Sequence, residues 1–537
     1  MFRKELSVQL AELPPPMPIT NQNQMDSSCK DLTKAIQHTI KSKIPVLSIT
    51  PKSKCWWTKE LMQLWQLANK LGRQLYQRWY NTMHTIHGQH SAAVKNYRRI
   101  LEQTKCQHWW DWLEKGDDPD LWTAHRLVSS SGSDGGKTGI PVLAYKDGDK
   151  ACTASTNHEK GRVLARSFFP AKPCSDSSLS GYKYPKACLH AGKVMQEQIR
   201  AQLKKLKPYK APGPDSIPNI VLTRCADELV ERLFYIYQAM LEKSLMYKPW
   251  KEFNTVVLCK PGKPSYNIPK AYRPIALLNT MWKVIMAIVA SHITFYTEKY
   301  QLLPANHFGG CPGRTTADVI HLLTNKVKVA WRKQEVVSVL FLDIEGAFPN
   351  VNPMRLVHNI RNRHLPSKYT NFVQNMLTGR ATVLKFNGYA SEQMIIDNRI
   401  GQGDPLSMVL YQYYNADLLD IPEHKGEEAV AYVDNTFMLA LGKDFQVTHR
   451  KLHNMMSKQR GVVNWSKMHS SPLEYSKLVL INFASRHKKA DNLPLLLPHV
   501  TFLDLYDYLF SCYLTISHNH LTPILGTNVL VPIVSLS

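Results

Sequence analysis

The sequence predicts an α+β protein in which antiparallel strands are backed by helices and preceded by a mainly helical region. Three observations carry this expectation. VVSVLFL, residues 336–342, is a β-branched apolar run that stops on Asp343. AVAYVDNTFMLAL places Asp434 and Asn435 between two short apolar runs, the pattern of a β-hairpin. Upstream, Leu61, Leu64, Leu67, Leu71 and Leu75 recur every three or four residues, and Tyr97, Ile100 and Leu101 continue that helical period.

At 537 residues the chain exceeds one small core and suggests several compact units. Lys+Arg 67 against Asp+Glu 42 gives a formal charge of +25, which favours a polyanionic partner through counterion release. Nucleic acid leads and an anionic membrane trails, because no stretch reaches the roughly 18 apolar residues of a spanning helix. The N-terminal MFRKELSVQLAELPPPMP has no continuous apolar core, so no secretory signal is read there, and Glu5 and Glu12 speak against a mitochondrial presequence. Ten scattered cysteines without a C-x-x-C pair are read as reduced, buried thiols of an intracellular protein.

Residues 1–50, rich in Pro, Gln, Asn and Ser, are expected to be loosely ordered. Residues 51–128 form a basic helical region, whose tryptophans (Trp56, Trp57, Trp109, Trp110, Trp112 and Trp122) are read as core rather than as base-stacking platforms. Residues 129–190 read as a flexible linker with short elements. Gly136-Lys137-Thr138 imitates the end of a phosphate-binding loop, but Ser131 stands where its first glycine would be, so no nucleotide site is assigned. VMQEQIRAQLKKLK then opens a denser part of the chain: residues 191–335, followed by the strand-rich residues 336–485.

The chemistry suggested by Asp343 and Asp434 is that of paired carboxylates delivered from separate backbone segments to hold two Mg²⁺ ions. Each alone is weak, since an aspartate at a strand end is more often a turn former or cap. Their company is specific. KAPGPDSIPN (210–219), AYRPIALLNTMWKV (271–284), HFGGCPGRTTAD (307–318), FLDIEGAFPNV, GQGDPLSMVL, YVDN and WSKMHSSPLEYSKLVL follow one another in a fixed order. Over about residues 50–485 this order resembles the reverse transcriptases of non-LTR (LINE-type) retrotransposons, the wording of GQGDPLSM being nearest to fungal elements.

The resemblance implies a palm-and-fingers fold: N-terminal extension and fingers in residues 191–335, palm in 336–485, and a degenerate or truncated thumb start in 486–537. It implies that Asp343 and Asp434 are metal ligands and catalytic, joined at the metal by Asn435. The family's third motif ordinarily ends in two aspartates, and the amide here removes one negative charge while its oxygen can still ligate. Phe348 matches the aromatic position that collides with a ribose 2′-hydroxyl. Gln402 and Gly403, with Gly401, resemble the glycine-rich turn beside template and nucleotide, where backbone can approach substrate. Asp404 and Ser407 share that motif, Asp404 also reading as a helix cap. Arg273 matches a triphosphate contact, with Lys260 and Lys263 assisting, and Lys477 a proton donor to departing pyrophosphate, although a lone lysine reads equally as half of a structural ion pair.

The function implied is RNA-directed DNA polymerisation with Mg²⁺, or Mn²⁺ in its place, on an RNA template and DNA primer with deoxynucleoside triphosphates. The expected setting is the nucleus or cytoplasm, as a ribonucleoprotein. The rival reading is a catalytically inactive nucleic-acid-binding remnant; an organellar intron maturase fits the upstream region less well.

Overall fold

The computed structural model describes residues 1–45, 54, 56–81, 83–115, 139–148, 150–170, 181–187, 192–396, 400–401, 403–485 and 514–516. The chain divides into two compact units, one of Met1–Ile40, Gly139–Lys260 and Ser265–Ser537, the other of Lys41–Thr138 with Pro261–Pro264.

The larger unit holds twelve described strands: β1 (Leu143–Asp147), β2 (Lys150–Ala154), β3 (Glu252–Cys259), β4 (Tyr272–Leu277), β5 (Val336–Leu342), β6 (Arg380–Phe386), β7 (Tyr389–Ala390), β8 (Met394–Ile396), β9 (Glu427–Tyr432), β10 (Asn435–Gly442), β11 (Val479–Phe483) and β12 (Leu514–Ile516). β1 and β2 form a separate antiparallel ribbon. One sheet runs β4-β3-β6-β7, with β8 also on β6 and with β3 and β6 parallel. The other runs β12-β11-β5-β10-β9, antiparallel except for β11 and β12. Mixed helix and sheet content of this kind is the α+β class the sequence predicts.

β5 explains why its sequence is a continuous apolar run instead of an alternating one. All seven residues are buried. Leu340 and Leu342 join the main core, while Val337, Val339 and Phe341 enter a second core with Val319, Leu323 and Val327 of helix Thr316–Arg332. A central strand covered on both faces needs apolar residues at every position. The main core also takes in helix Ser407–Leu419, buried nearly all round, with Tyr411, Tyr413, Tyr414 and Asn415 fully enclosed.

Residues 1–45 depart from the composition-based expectation of loose order. They form helices Phe2–Ala11 and Gln22–Lys43. Leu6, Leu10, Met25, Cys29, Leu32 and Ile36, spaced by three or four, are buried in the main core, where they meet Leu229, Leu233 and Tyr237 among others. A sparse apolar stripe suffices when a ready surface receives it.

The smaller unit contains helices Lys59–Gln77 and Ile86–Lys115, packed on one another. Here the tryptophan reading is corrected: Trp110 is 60% exposed and Trp56 and Trp57 are only half-buried, while Lys105 lies 5.0 Å over the Trp56 ring. Two packed helices alone cannot enclose side chains of that size. The thiol reading also needs amending, since Cys106 and Cys259 are exposed. Gly136-Lys137-Thr138, Trp122 and most of 486–537 lie outside the described residues.

Candidate active site

Asp343 follows directly on β5. A short antiparallel contact fixes it there: Ile344 bridges Leu473, the Glu474 amide donates to the Asp343 carbonyl at 2.9 Å, and the Glu345 amide donates to the Pro472 carbonyl at 2.9 Å. The 3-10 turn Tyr475–Lys477 comes next, and through it the Lys477 ammonium forms an ion pair with the Asp343 carboxylate. That pair is more than half exposed on the lysine side, so solvent screens it and its worth in stability is small.

Asp434 sits in the β9–β10 hairpin. Asn435 pairs with Tyr432, which leaves Val433 and Asp434 as a two-residue turn. Val433 takes φ +58°, a region β-branched residues rarely enter, so its surroundings must hold it. They do so at several points. The Asn415 amide donates to the Val433 carbonyl at 2.6 Å, and Asn415 Oδ1 is 2.8 Å from a ring nitrogen of the buried His307. The Phe308 amide donates to the Ala431 carbonyl at 2.8 Å, and the Ala431 amide to the Asn306 carbonyl at 3.1 Å.

Because Thr436 of β10 pairs with Leu342 of β5, the two aspartates emerge at the same end of neighbouring strands. Their nearness registers electrostatically: burial pushes the Asp434 carboxyl upward, and repulsion from Asp343 adds to the shift. The Asn435 amide nitrogen lies 3.5 Å from Asp434 Oδ1. Among the described residues no group of three or more His, Cys, Asp or Glu could hold a metal ion. The carboxylates of Asp343 and Asp434 and the side-chain amide of Asn435 bring hard oxygen atoms to this one strand edge, the atom type that Mg²⁺ and Ca²⁺ take as ligands.

Phe348 lies beyond Asp343, half-buried, with its ring stacked on Tyr411 at 5.1 Å and 24°. Gly403 has φ +102°, and a Cβ there would lie 3.3 Å from the Ala276 carbonyl of β4, a position that glycine occupies without strain. Ser407 Oγ donates to the Gly401 carbonyl at 2.7 Å, and Asp404 Oδ1 accepts from the Leu406 amide at 2.9 Å, an Asx turn ahead of helix Ser407–Leu419, whose N-cap is Leu406 and not Asp404. Burial pushes the Asp404 carboxyl up to about 6 against the pull of that amide and of Arg380 and Lys283. Gln402 lies outside the described residues.

Arg273 and Lys260 belong to the other sheet and its edge. Arg273 is half-buried on β4 opposite Leu258, and no hydrogen bond or ion pair joins its guanidinium to either aspartate. The Lys260 ammonium donates to the Lys270 carbonyl at 2.8 Å. What links this edge to the aspartates is Lys270, which pairs with Glu345 at 2.6 Å and Glu474 at 3.8 Å.

Sequence reasoning missed Lys270, Tyr411 and the His307–Asn415 support. Tyr411 is one of several aromatics in YQYY and carries no signal apart from its neighbours. His307 was inside a recognised motif, but only the fold shows that its ring serves the hairpin.

Residues 260–479 match the family model described as reverse transcriptase (RNA-dependent DNA polymerase). A probable RNA-directed DNA polymerase from transposon BS of Drosophila melanogaster is 28% identical over 225 residues, 42% of this chain and 25% of the relative. A probable RNA-directed DNA polymerase from transposon X-element of the same species is 29% identical over 209 residues, covering 39% and 23%. The RNA-directed DNA polymerase from mobile element jockey of Drosophila funebris is 26% identical over 262 residues, covering 49% and 28%. The chain thus spans about a quarter of the length of these relatives. Residues 260–479, which include both aspartates, match the reverse transcriptase domain and are similar to the RNA-directed DNA polymerases of the jockey, BS and X-element retrotransposons.

Proposed function

We propose that this chain extends a DNA primer on an RNA template, using two divalent metal ions. The observation that carries this reading is the emergence of Asp343 and Asp434 at the same end of β5 and β10, within the span that matches the reverse transcriptase family. In this reading the sheet β12-β11-β5-β10-β9 belongs to the palm and residues 191–335 contribute the N-terminal extension and fingers.

Asp343, Asp434 and the Asn435 amide oxygen would hold Mg²⁺ or Mn²⁺. When bound, such ions lower the pKa of a primer hydroxyl and neutralise charge on the leaving pyrophosphate. The protein's own groups do the rest. Arg273 and Lys260 supply fixed positive charge for the triphosphate. Phe348 excludes a ribose 2′-hydroxyl. Gly403, and Gln402 beside it, offer template and nucleotide a close backbone approach. Lys477, whose ammonium pairs with the Asp343 carboxylate, delivers a proton to the leaving group in this reading. The fungal affiliation rests on the wording of GQGDPLSM alone.

A second reading, an inactive nucleic-acid-binding remnant, is favoured by Asn435, which lowers the negative charge of the donor set. Primer extension on RNA and DNA templates decides between them. The expected result is metal-dependent incorporation of deoxynucleotides that Asp343→Asn abolishes. Primer–template binding without extension at any Mg²⁺ or Mn²⁺ concentration would establish the remnant instead.

A further inference from the structure

Phe348 and Tyr411 come from a loop and a helix far apart in sequence, yet their rings stack at 5.1 Å and 24°. We propose that Tyr411 is a positioning residue for sugar selection, its ring serving as the backing against which Phe348 is held where a ribose 2′-hydroxyl would arrive. This rests on the polymerase reading given above.

Among the described residues the Phe348 backbone is held at its carbonyl, which accepts from the Ile400 amide at 3.3 Å. The half-buried ring packs against the main core, and within that core Tyr411 is the ring stacked on it. Tyr411 can serve as its backing because it cannot recede. It is fully buried on an enclosed helix, and Tyr414 packs behind it at 6.0 Å. Tyr414 is in turn anchored, its hydroxyl accepting from the Asn352 amide at 3.1 Å and donating to the His469 carbonyl.

The Tyr411 hydroxyl is buried with no hydrogen-bond partner among the described residues. An enclosed, unsatisfied hydroxyl is costly and makes no bond that could fix Phe348, so what the position contributes to the gate is its ring. The side chain lies under the Phe348 gate, on the helix whose Asn415 holds the Val433–Asp434 turn. A ring held by the same scaffold that bears the aspartates keeps gate and carboxylates in one frame.

The test uses the full chain with a primer–template whose primer ends in a dideoxynucleotide, so that no turnover is needed. Binding of dGTP and of GTP opposite a template cytosine is compared in the presence of Mg²⁺. Tyr411→Leu is expected to reduce the preference for dGTP about tenfold, since a pocket separates substrates differing by one hydroxyl only modestly. Tyr411→Phe, which keeps the stack, is expected to stay within about twofold of the unsubstituted chain. Phe348→Val should relax selection by itself, and adding Tyr411→Leu to it should relax selection no further, because both act through one ring.

An unchanged preference in a Tyr411→Leu chain that melts like the unsubstituted one overturns the proposal, as does an additive double variant. Should Tyr411→Leu fail to fold, Tyr411→Met, closer in length, carries the same expectations. If the unsubstituted chain binds neither nucleotide, the polymerase reading itself fails and takes this inference with it. That outcome is distinguishable because it appears before any substitution is made.

Discussion

An amide at position 435 changes one charge in the donor set and almost nothing in shape. The Asp343 and Asp434 carboxylates already repel each other enough to contribute to the upward push on Asp434, and cations relieve that repulsion. With Asn435 in place the attraction for dications is weaker, so Asn435→Asp is expected to lower the Mg²⁺ concentration for half-maximal primer extension severalfold and raise the rate. A metal titration of both chains checks this; identical titration curves would move the limiting feature elsewhere. A second residue-scale expectation concerns Asp215, whose carboxyl burial pushes up to about 6 and whose Oδ2 has no partner among the described residues. The folded chain holds this proton more tightly than an unfolded chain with the ordinary value of 3.8. Its contribution to stability is therefore fully present below about pH 4 and is lost as pH rises through about 6. A shift of that size corresponds to at most about 3 kcal/mol. Asp215→Asn keeps an oxygen for the Ile217 amide, which bonds Oδ1 at 3.2 Å, so its melting temperature should gain on that of the unsubstituted chain between pH 4 and 6 and hold the gain above. Parallel melting curves across that range would refute the assignment.

At the scale of elements, the β9–β10 hairpin is held by its neighbours more than by its own turn. Type I′ and II′ turns normally use Gly, Asn or Asp where φ is positive, whereas here Val433 fills that place. The segment His307–Gly310 and Asn415 clamp it, and Gly309 lies so close that a Cβ would stand 2.4 Å from the Val433 nitrogen. Gly309→Ala is accordingly expected to destabilise the fold by about 1–3 kcal/mol, the usual cost of overpacking, because backbone and not a flexible side chain must move. It should also depress extension by more than the stability loss explains, through displacement of Asp434. Melting and primer extension measured together test this; an alanine variant normal in both would show that the segment is loosely docked. β5 tells a related story: its residues alternate between two cores, so one strand fastens helix Thr316–Arg332 and helix Ser407–Leu419 to the same scaffold.

Over the whole molecule the formal charge of +25 is the dominant long-range feature. Association with RNA or an RNA–DNA duplex is expected to be tolerant of sequence and to weaken on the order of a hundredfold or more from about 50 to about 200 mM salt, as released counterions require. Filter binding across that range is the check, and an affinity that stays flat would contradict it. No helix of the described residues is long and apolar enough to cross a membrane. Helix Ile86–Lys115 of the smaller unit leaves Trp110 60% exposed, where helical spacing alone had pointed to a core.

The sequence by itself determined the α+β class, both aspartates and the strand and hairpin that present them. These features are local: an apolar run ending on a carboxylate, or a turn between two apolar runs, is written in consecutive residues. It also carried the ordered motifs whose span, residues 260–479, matches the reverse transcriptase family. Only the tertiary structure decided how the site is held. The burial of Leu6, Met25, Leu32 and Ile36 in one core with Leu229 and Tyr237, the clamp of His307 and Asn415 on Val433, the pairing of Lys270 with Glu345, and the stack of Tyr411 on Phe348 all join residues distant along the chain. Such contacts have no period and no spacing, because packing selects partners by shape and distance in space once the strands are in register.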